Sequence, residues 1–230
     1  MWKIDLISDT HNKHNQLNGF LEGGEILLHA GDISSRGTLK EIEAFLNWYE
    51  SLDFEHKIFI AGNHDFLFEK EYEKSIDIVS NYKSIDYLQD GLITLFKKDS
   101  EEVKIWGSPW NPKFYDWAFN LERNSDIMKS KWDMIPDNID ILVTHTPPHG
   151  ILDKNIYYKS CGDELLMERI KEIKPKICIF GHIHEANGHH YDAENDIHFI
   201  NASVLDHRYI FKNKPKSFNW DSKTNEIEWK

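Results

Sequence analysis

Eight residues have the side chains and the placement to do metal chemistry: Asp9, His11, Asp32, Asn63, His64, His145, His182 and His184. All fall just beyond short apolar runs. Residues 4–7 lead into Asp9 and His11, residues 26–29 into Asp32, and residues 57–60 into Asn63, His64 and Asp65. Residues 139–143 lead into His145, and residues 176–180 into His182 and His184. Carboxylate, amide and imidazole donors together suit Mn, Fe or Zn better than Mg or Ca alone. They are too many for one tetrahedral zinc, and no thiolate is among them. Two metal ions sharing a carboxylate would use them all. In Asp9-Thr10-His11, and in His182-Ile183-His184, an extended chain would point both donors to one side. Gly31, Gly62 and Gly181 each precede a donor and permit the close backbone approach of a crowded rim.

The elements that must position these residues follow from periodicity. The five apolar runs read as buried strands, and residues 93–96, 103–106, 197–200 and 208–211 as edge or antiparallel strands. Helical spacing predicts helices over 39–52, 68–82, 121–134 and 163–173. Residues 212–230 interleave Phe218, Trp220, Ile227 and Trp229 with polar residues, which predicts a final hairpin. The class is α/β, with two mixed sheets packed as a sandwich and helices outside. Ligands of open α/β sheets bind beyond the carboxyl ends of strands. If the five strands share one sheet, the donors converge on one rim. Neither repeat nor linker divides residues 1–230, so a single domain is expected.

Composition sets the bounds. The chain has 230 residues, a net charge of -12 and 13 histidines. Its aromatic content supplies ample core and argues against disorder. The acidic balance opposes a nucleic-acid polymer as partner, which would need a basic face. Two cysteines, Cys161 and Cys178, give no disulfide framework and read as structural. No signal peptide and no apolar run of membrane length are evident, so a cytoplasmic protein without a membrane partner is expected. His29, His189, His190, His198 and His207 read as structural or surface residues, although His207 could approach the rim. The aromatic segment Trp106, Trp110, Phe114, Tyr115, Trp117 and Phe119 would either pack onto the sandwich or form a wall for a nucleobase or aryl group.

Five ordered blocks carry a family resemblance: Asp9-x-His11, Gly31-Asp32, Gly62-Asn63-His64-Asp65, His145 after a strand, and Gly181-His182-x-His184. This pattern resembles the calcineurin-like metallophosphoesterase family. Leu28-His29-Ala30-Gly31-Asp32, Trp106-Gly107-Ser108-Pro109-Trp110, His145-Thr146-Pro147-Pro148 and Ile200-Asn201-Ala202-Ser203 are similar to its small metallophosphoesterase domain-containing subgroup. The resemblance implies an α/β/β/α sandwich with a dinuclear centre. Asp9, His11 and His184 would bind one metal, Asn63, His145 and His182 the other, and Asp32 would bridge them. His64 would be catalytic, with Asp65 orienting it. His14, Arg36, Trp110 and His149 are the candidates for substrate contact. Ser35 stands where the protein-phosphatase branch has an Asp, which weakens that reading.

The implied activity is hydrolysis of small phosphodiesters, cyclic nucleotides among them. A hydroxide bridging metals about 3.5–4 Å apart would attack phosphorus. The alternatives are a phosphomonoesterase or protein-phosphatase-like hydrolase, a repair-type nuclease disfavoured by charge, and a metal-binding interaction scaffold.

Overall fold

A computed structural model describes residues 1–97 and 101–230. The first half contains β1 (Trp2–Ile7), β2 (Gly24–Ala30), α1 (Leu39–Glu50), β3 (Phe54–Ile60), α2 (Phe66–Lys70), α3 (Tyr72–Val79) and β4 (Ile85–Tyr87). Then come β5 (Gly91–Phe96), β6 (Glu102–Ser108), β7 (Asn111–Pro112), β8 (Asn120–Leu121), α4 (Asp126–Asp133) and β9 (Ile141–Thr144). The last part contains α5 (Glu164–Ile173), β10 (Ile177–Phe180), β11 (Gly188–Asp192), β12 (Ile197–Asn201), β13 (Lys216–Trp220) and β14 (Ile227–Trp229).

Successive strand residues face opposite sides, so each buried strand serves two cores. Ile4, Leu6, Ile26, Leu28, Ile58 and Ile60 meet Val103, Ile105, Ile141, Val143, Ile177 and Ile179 between the two sheets. Ile7, Leu27 and Phe59 face the other way, onto Ile42, Phe45, Leu46 and Tyr49 of α1. Leu142, Cys178, Phe180 and Phe199 pack on Met128 and Trp132 of α4 and on Leu166 and Ile170 of α5. The layers therefore run helix, sheet, sheet, helix, as the sequence class requires.

The five donor-bearing strands do not share one sheet. One six-stranded sheet has the order β14-β13-β1-β2-β3-β4 and the other β11-β12-β10-β9-β6-β5. β1, β2 and β3 are parallel neighbours in the first, and β9 and β10 in the second. The rim is thus shared by two sheets, joined there by a parallel bridge between Ser8 and Ser203 and by His145 Nδ1 on the Ala30 carbonyl at 2.9 Å.

Other boundaries also move. The helix expected over 68–82 is broken at Glu71 into α2 and α3. The helix expected from 121 starts at Asp126, because Asn124 adopts a left-handed φ of 53° and Ser125 caps the Met128 N–H. Residues 208–211 form no strand: the Asp206 carboxylate accepts the N–H groups of Arg208 and Ile210 and closes a turn. The final hairpin is present as the antiparallel pair β13 and β14.

α1 begins with a capping box, in which Thr38 Oγ accepts the Glu41 N–H and Glu41 returns to the Thr38 N–H. Glu41 also accepts from the Asn12 amide at 2.6 Å, tying the helix to the loop that carries His11. Thr38→Ala should cost about 0.5–2 kcal/mol. A lower urea midpoint at unchanged slope is the expected result.

Candidate metal centre

Asp9, His11, Asp32 and His182 all adopt left-handed φ values, of 56°, 39°, 56° and 64°. Such conformations are uncommon outside glycine and cost free energy, which surrounding bonds must offset. Those bonds are present. The Asp9 N–H donates to the Gly31 carbonyl and the His11 N–H to the Asp32 carbonyl, each at 3.0 Å. The His182 N–H reaches both Asp9 oxygens at 3.1 Å. Glycine is required where backbone meets carboxylate: a Cβ at Gly62 would strike the Asp32 carboxylate, and one at Gly181 would strike Ser8 and Asp9.

The imidazoles are oriented by backbone carbonyls. His11 Nδ1 faces the Ser34 oxygen at 3.2 Å, and His64 Nδ1 the Ser35 oxygen at 2.9 Å. His145 Nδ1 faces the Ala30 oxygen at 2.9 Å, and His184 Nδ1 the Asp206 oxygen at 2.9 Å. A carbonyl only accepts, so each Nδ1 carries a proton and each Nε2 is turned inward. There, His11 Nε2 and His184 Nε2 lie 3.3 Å apart. Asp32 Oδ2 lies 3.5 Å from His11 Nε2, 3.4 Å from His145 Nε2 and 4.0 Å from His64 Nε2. Asn63 Oδ1 lies 2.9 Å from His145 Nε2 and 2.8 Å from His182 Nδ1.

Three overlapping donor groups could each hold a metal ion: Asp9, His11 and His184; Asp9, Asp32 and His145; and His11, Asp32 and His64. Inward nitrogens packed against buried carboxylates fit divalent cations, and the overlap fits a dinuclear site. Without a cation the carboxylates must be neutralised by histidine. Burial alone would raise the Asp9 and Asp32 carboxyls, but His184 and His145 hold both below the usual range. Burial likewise opposes charge on His145 and His184, yet Asp32 and Asp9 push both up to about 9. Burial takes His11 and His182 down to about 3.

The remaining candidates are placed differently. Asp65 does not hold the His64 ring. Its carboxylate accepts from Gly62, Ile33 and Ser34, fastening two rim loops, while burial and the nearby Asp32 charge raise it to about 6. The Ser35 carbonyl orients His64 instead. Trp110 is not at the centre: its indole N–H donates to Asp90, and Lys131 lies 4.4 Å over its ring. His14 is buried against Phe45 and Trp48, and His149 faces Glu164 at 3.6 Å. Arg36 does border a cleft beside His11 and His64. His29 faces away and contacts Thr10. His207 is exposed, whereas Tyr209, two residues later, sets its ring edge-on to His11. Ser203, whose hydroxyl donates to Asp9 at 2.6 Å, was visible only as part of a block. From the aromatic segment it is Trp117 that reaches the centre, stacked on His64 with centroids 4.0 Å apart.

His145 and His184 have folded-state pKa values raised above the ordinary ~6.5. Their contribution to stability is full below ~6.5 and is lost as pH rises through about 9. Chelator-treated protein should therefore lose melting temperature between pH 7 and pH ~9.5. Protein given Mn²⁺ should lose less, because bound metal has already displaced those protons. Equal losses would contradict the assignment.

Comparison with known proteins places this geometry. The calcineurin-like phosphoesterase family profile matches residues 3–186. Metallophosphoesterase domain-containing protein 1 of Homo sapiens is 36% identical over 232 residues, covering 91% of this chain and 68% of that protein. UPF0046 protein C25E10.12 of Caenorhabditis elegans is 34% identical over 214 residues, covering 88% of this chain and 75% of that protein. The crystal structure of TT1561 of Thermus thermophilus shares the fold, with a TM-score of 0.64 at 12% identity over 100% of this chain and 98% of that one. The profile match spans all five donor blocks, and the chain belongs to the calcineurin-like phosphoesterase family.

Proposed function

We propose that the chain hydrolyses small phosphodiesters at a dinuclear centre. The observation that carries this reading is the position of Asp32 Oδ2, nearly equidistant from His11 at 3.5 Å and His145 at 3.4 Å. One carboxylate oxygen is thereby offered to two donor sets. Asp9, His11 and His184 would hold one cation, Asn63, His145 and His182 the other, and Asp32 both. Bound there, two cations supply Lewis acidity to phosphoryl oxygens and lower the pKa of water. Mn, Fe and Zn all suit the donors.

The chain's own residues would do the rest. His64 Nδ1 is held by the Ser35 carbonyl, which leaves Nε2 to protonate a leaving oxygen. Its backbone N–H fixes Asp32 Oδ1 at 2.8 Å, so the acid and the shared carboxylate move together. Two cavities favour a diester over a monoester. One, of about 500 Å³, is bordered by His11, Arg36 and Phe66; the other, of about 610 Å³, by Asp32, Asn63, His182 and His184. His64, Trp117 and Tyr209 border both. An ester with an organic group on each side of phosphorus would fill both spaces. A small-molecule substrate is consistent with the acidic net charge. Among the described residues no helix is long and apolar enough to cross a membrane.

A chromogenic diester and monoester, offered to Mn²⁺-reconstituted protein, test the reading. Diester hydrolysis should be faster, and His64→Ala should lower it by ~10²–10⁴-fold with metal content retained. Faster monoester hydrolysis would overturn the diester assignment. No hydrolysis of either by metal-loaded protein would favour a scaffold.

A further inference from the structure

The cleft beside His11 and His64 contains groups that hydrolysis of a bare phosphate would not need. The Trp117 indole lies over the His64 ring at an interplanar angle of 29°, with Phe66 5.9 Å beyond it. Tyr209 also borders the cleft, its ring at 85° to His11 and its centroid 6.2 Å from that of His64. Tyr209 has a left-handed φ of 59°. The turn that imposes this conformation is closed by the Asp206 carboxylate, and the Asp206 carbonyl holds His184. The ring is therefore positioned by the same turn that orients a metal donor. A cleft lined by aromatic side chains takes a planar ring well, because stacking needs no particular substituents.

Arg36 lies on the border of this cleft and not of the wider cavity. Among the described residues it engages an acid only through its backbone N–H, on Glu41. That carboxylate is already taken by Thr38 and Asn12. The guanidinium is thus available to a ligand, and its planar fork suits a carboxylate or phosphate. The donors Asp32, Asn63, His182 and His184 all border the wider cavity, so phosphorus belongs there and Arg36 reads something further out.

We infer that the leaving arm of the diester occupies this cleft, and that the arm carries a planar ring and a second negative charge bound by Arg36. The inference rests on the phosphodiesterase reading. In the step itself, a water oxygen bonds phosphorus and the bond from phosphorus to the leaving oxygen breaks. The leaving oxygen takes a proton from His64 Nε2, and the water yields one to solvent. Trp117 fixes His64 from one face and the departing ring stacks on the exposed part of the same wall. Leaving group and acid are then aligned by one surface.

Calorimetric binding of two non-hydrolysable probes to Mn²⁺-loaded protein tests this. The probes are benzylphosphonate and 4-carboxybenzylphosphonate. The wild type should bind the carboxylated probe about tenfold tighter, the size of one charge-assisted hydrogen bond. Arg36→Gln should abolish that difference, and Lys159→Gln, in the wider cavity, should keep it. Trp117→Ala should weaken both probes about tenfold through lost stacking. Equal wild-type affinities, or a preference that survives Arg36→Gln or disappears in Lys159→Gln, would overturn the assignment. Binding preference without diester hydrolysis would sink the esterase reading and leave ring and anion recognition standing. Hydrolysis without the preference would sink the cleft inference alone.

Discussion

Two carboxylates, Asp9 and Asp32, are buried at the rim of a sandwich core. A buried carboxylate without a partner is expensive, and proteins tolerate one only when opposite charge and hydrogen bonds surround it. The rim is organised to meet that demand. His184 and His145 supply positive charge when no metal is bound, and Ser203, His182 and His64 supply donors. Left-handed backbone at four of the donor residues follows from packing so many polar groups around so little space. The glycines follow too, since backbone must approach the carboxylates more closely than any Cβ permits.

The same constraint explains the use of main-chain carbonyls as orienting groups. Four imidazoles each give a proton to a different carbonyl, on Ala30, Ser34, Ser35 and Asp206. Three of these carbonyls belong to the segment after β2 or to its end, so one loop orients His11, His64 and His145 together. A loop tied in this way to β2 and, through the Arg36 and Thr38 N–H groups on Glu41, to α1 shares the rigidity of the sandwich. Candidate metal donors from two sheets can then be held in register although no single sheet carries them.

Much of this was legible in the residues. Strand ends rich in Asp, Asn and His announced a rim, and their order announced the family and the sandwich. The final hairpin and the four-layer class followed from periodicity. Other features depend on groups that side-chain reading cannot see. The Ser35 carbonyl took the orienting role expected of Asp65, because a main-chain oxygen leaves no mark in residue types. Trp117 rather than Trp110 reached the centre because Asp90 and Lys131 hold Trp110 elsewhere. Tyr209 was hidden by a turn that reads as a strand: Tyr209, Ile210 and Phe211 form a short apolar run of strand-forming residues, but the Asp206 side chain takes the N–H groups a ladder would need. The division of five parallel strands between two sheets was hidden because local pattern says nothing of which strands pair.

One buried oxygen serving two cations is the feature on which the proposed chemistry stands. Electron paramagnetic resonance of Mn²⁺-loaded protein, with metal quantified in the same sample, tests this most directly. Two Mn²⁺ per chain with a multiline spectrum of exchange coupling is the expected result, since a shared carboxylate couples the spins. One Mn²⁺ per chain, or two that give only the six-line signal of isolated ions, would contradict it.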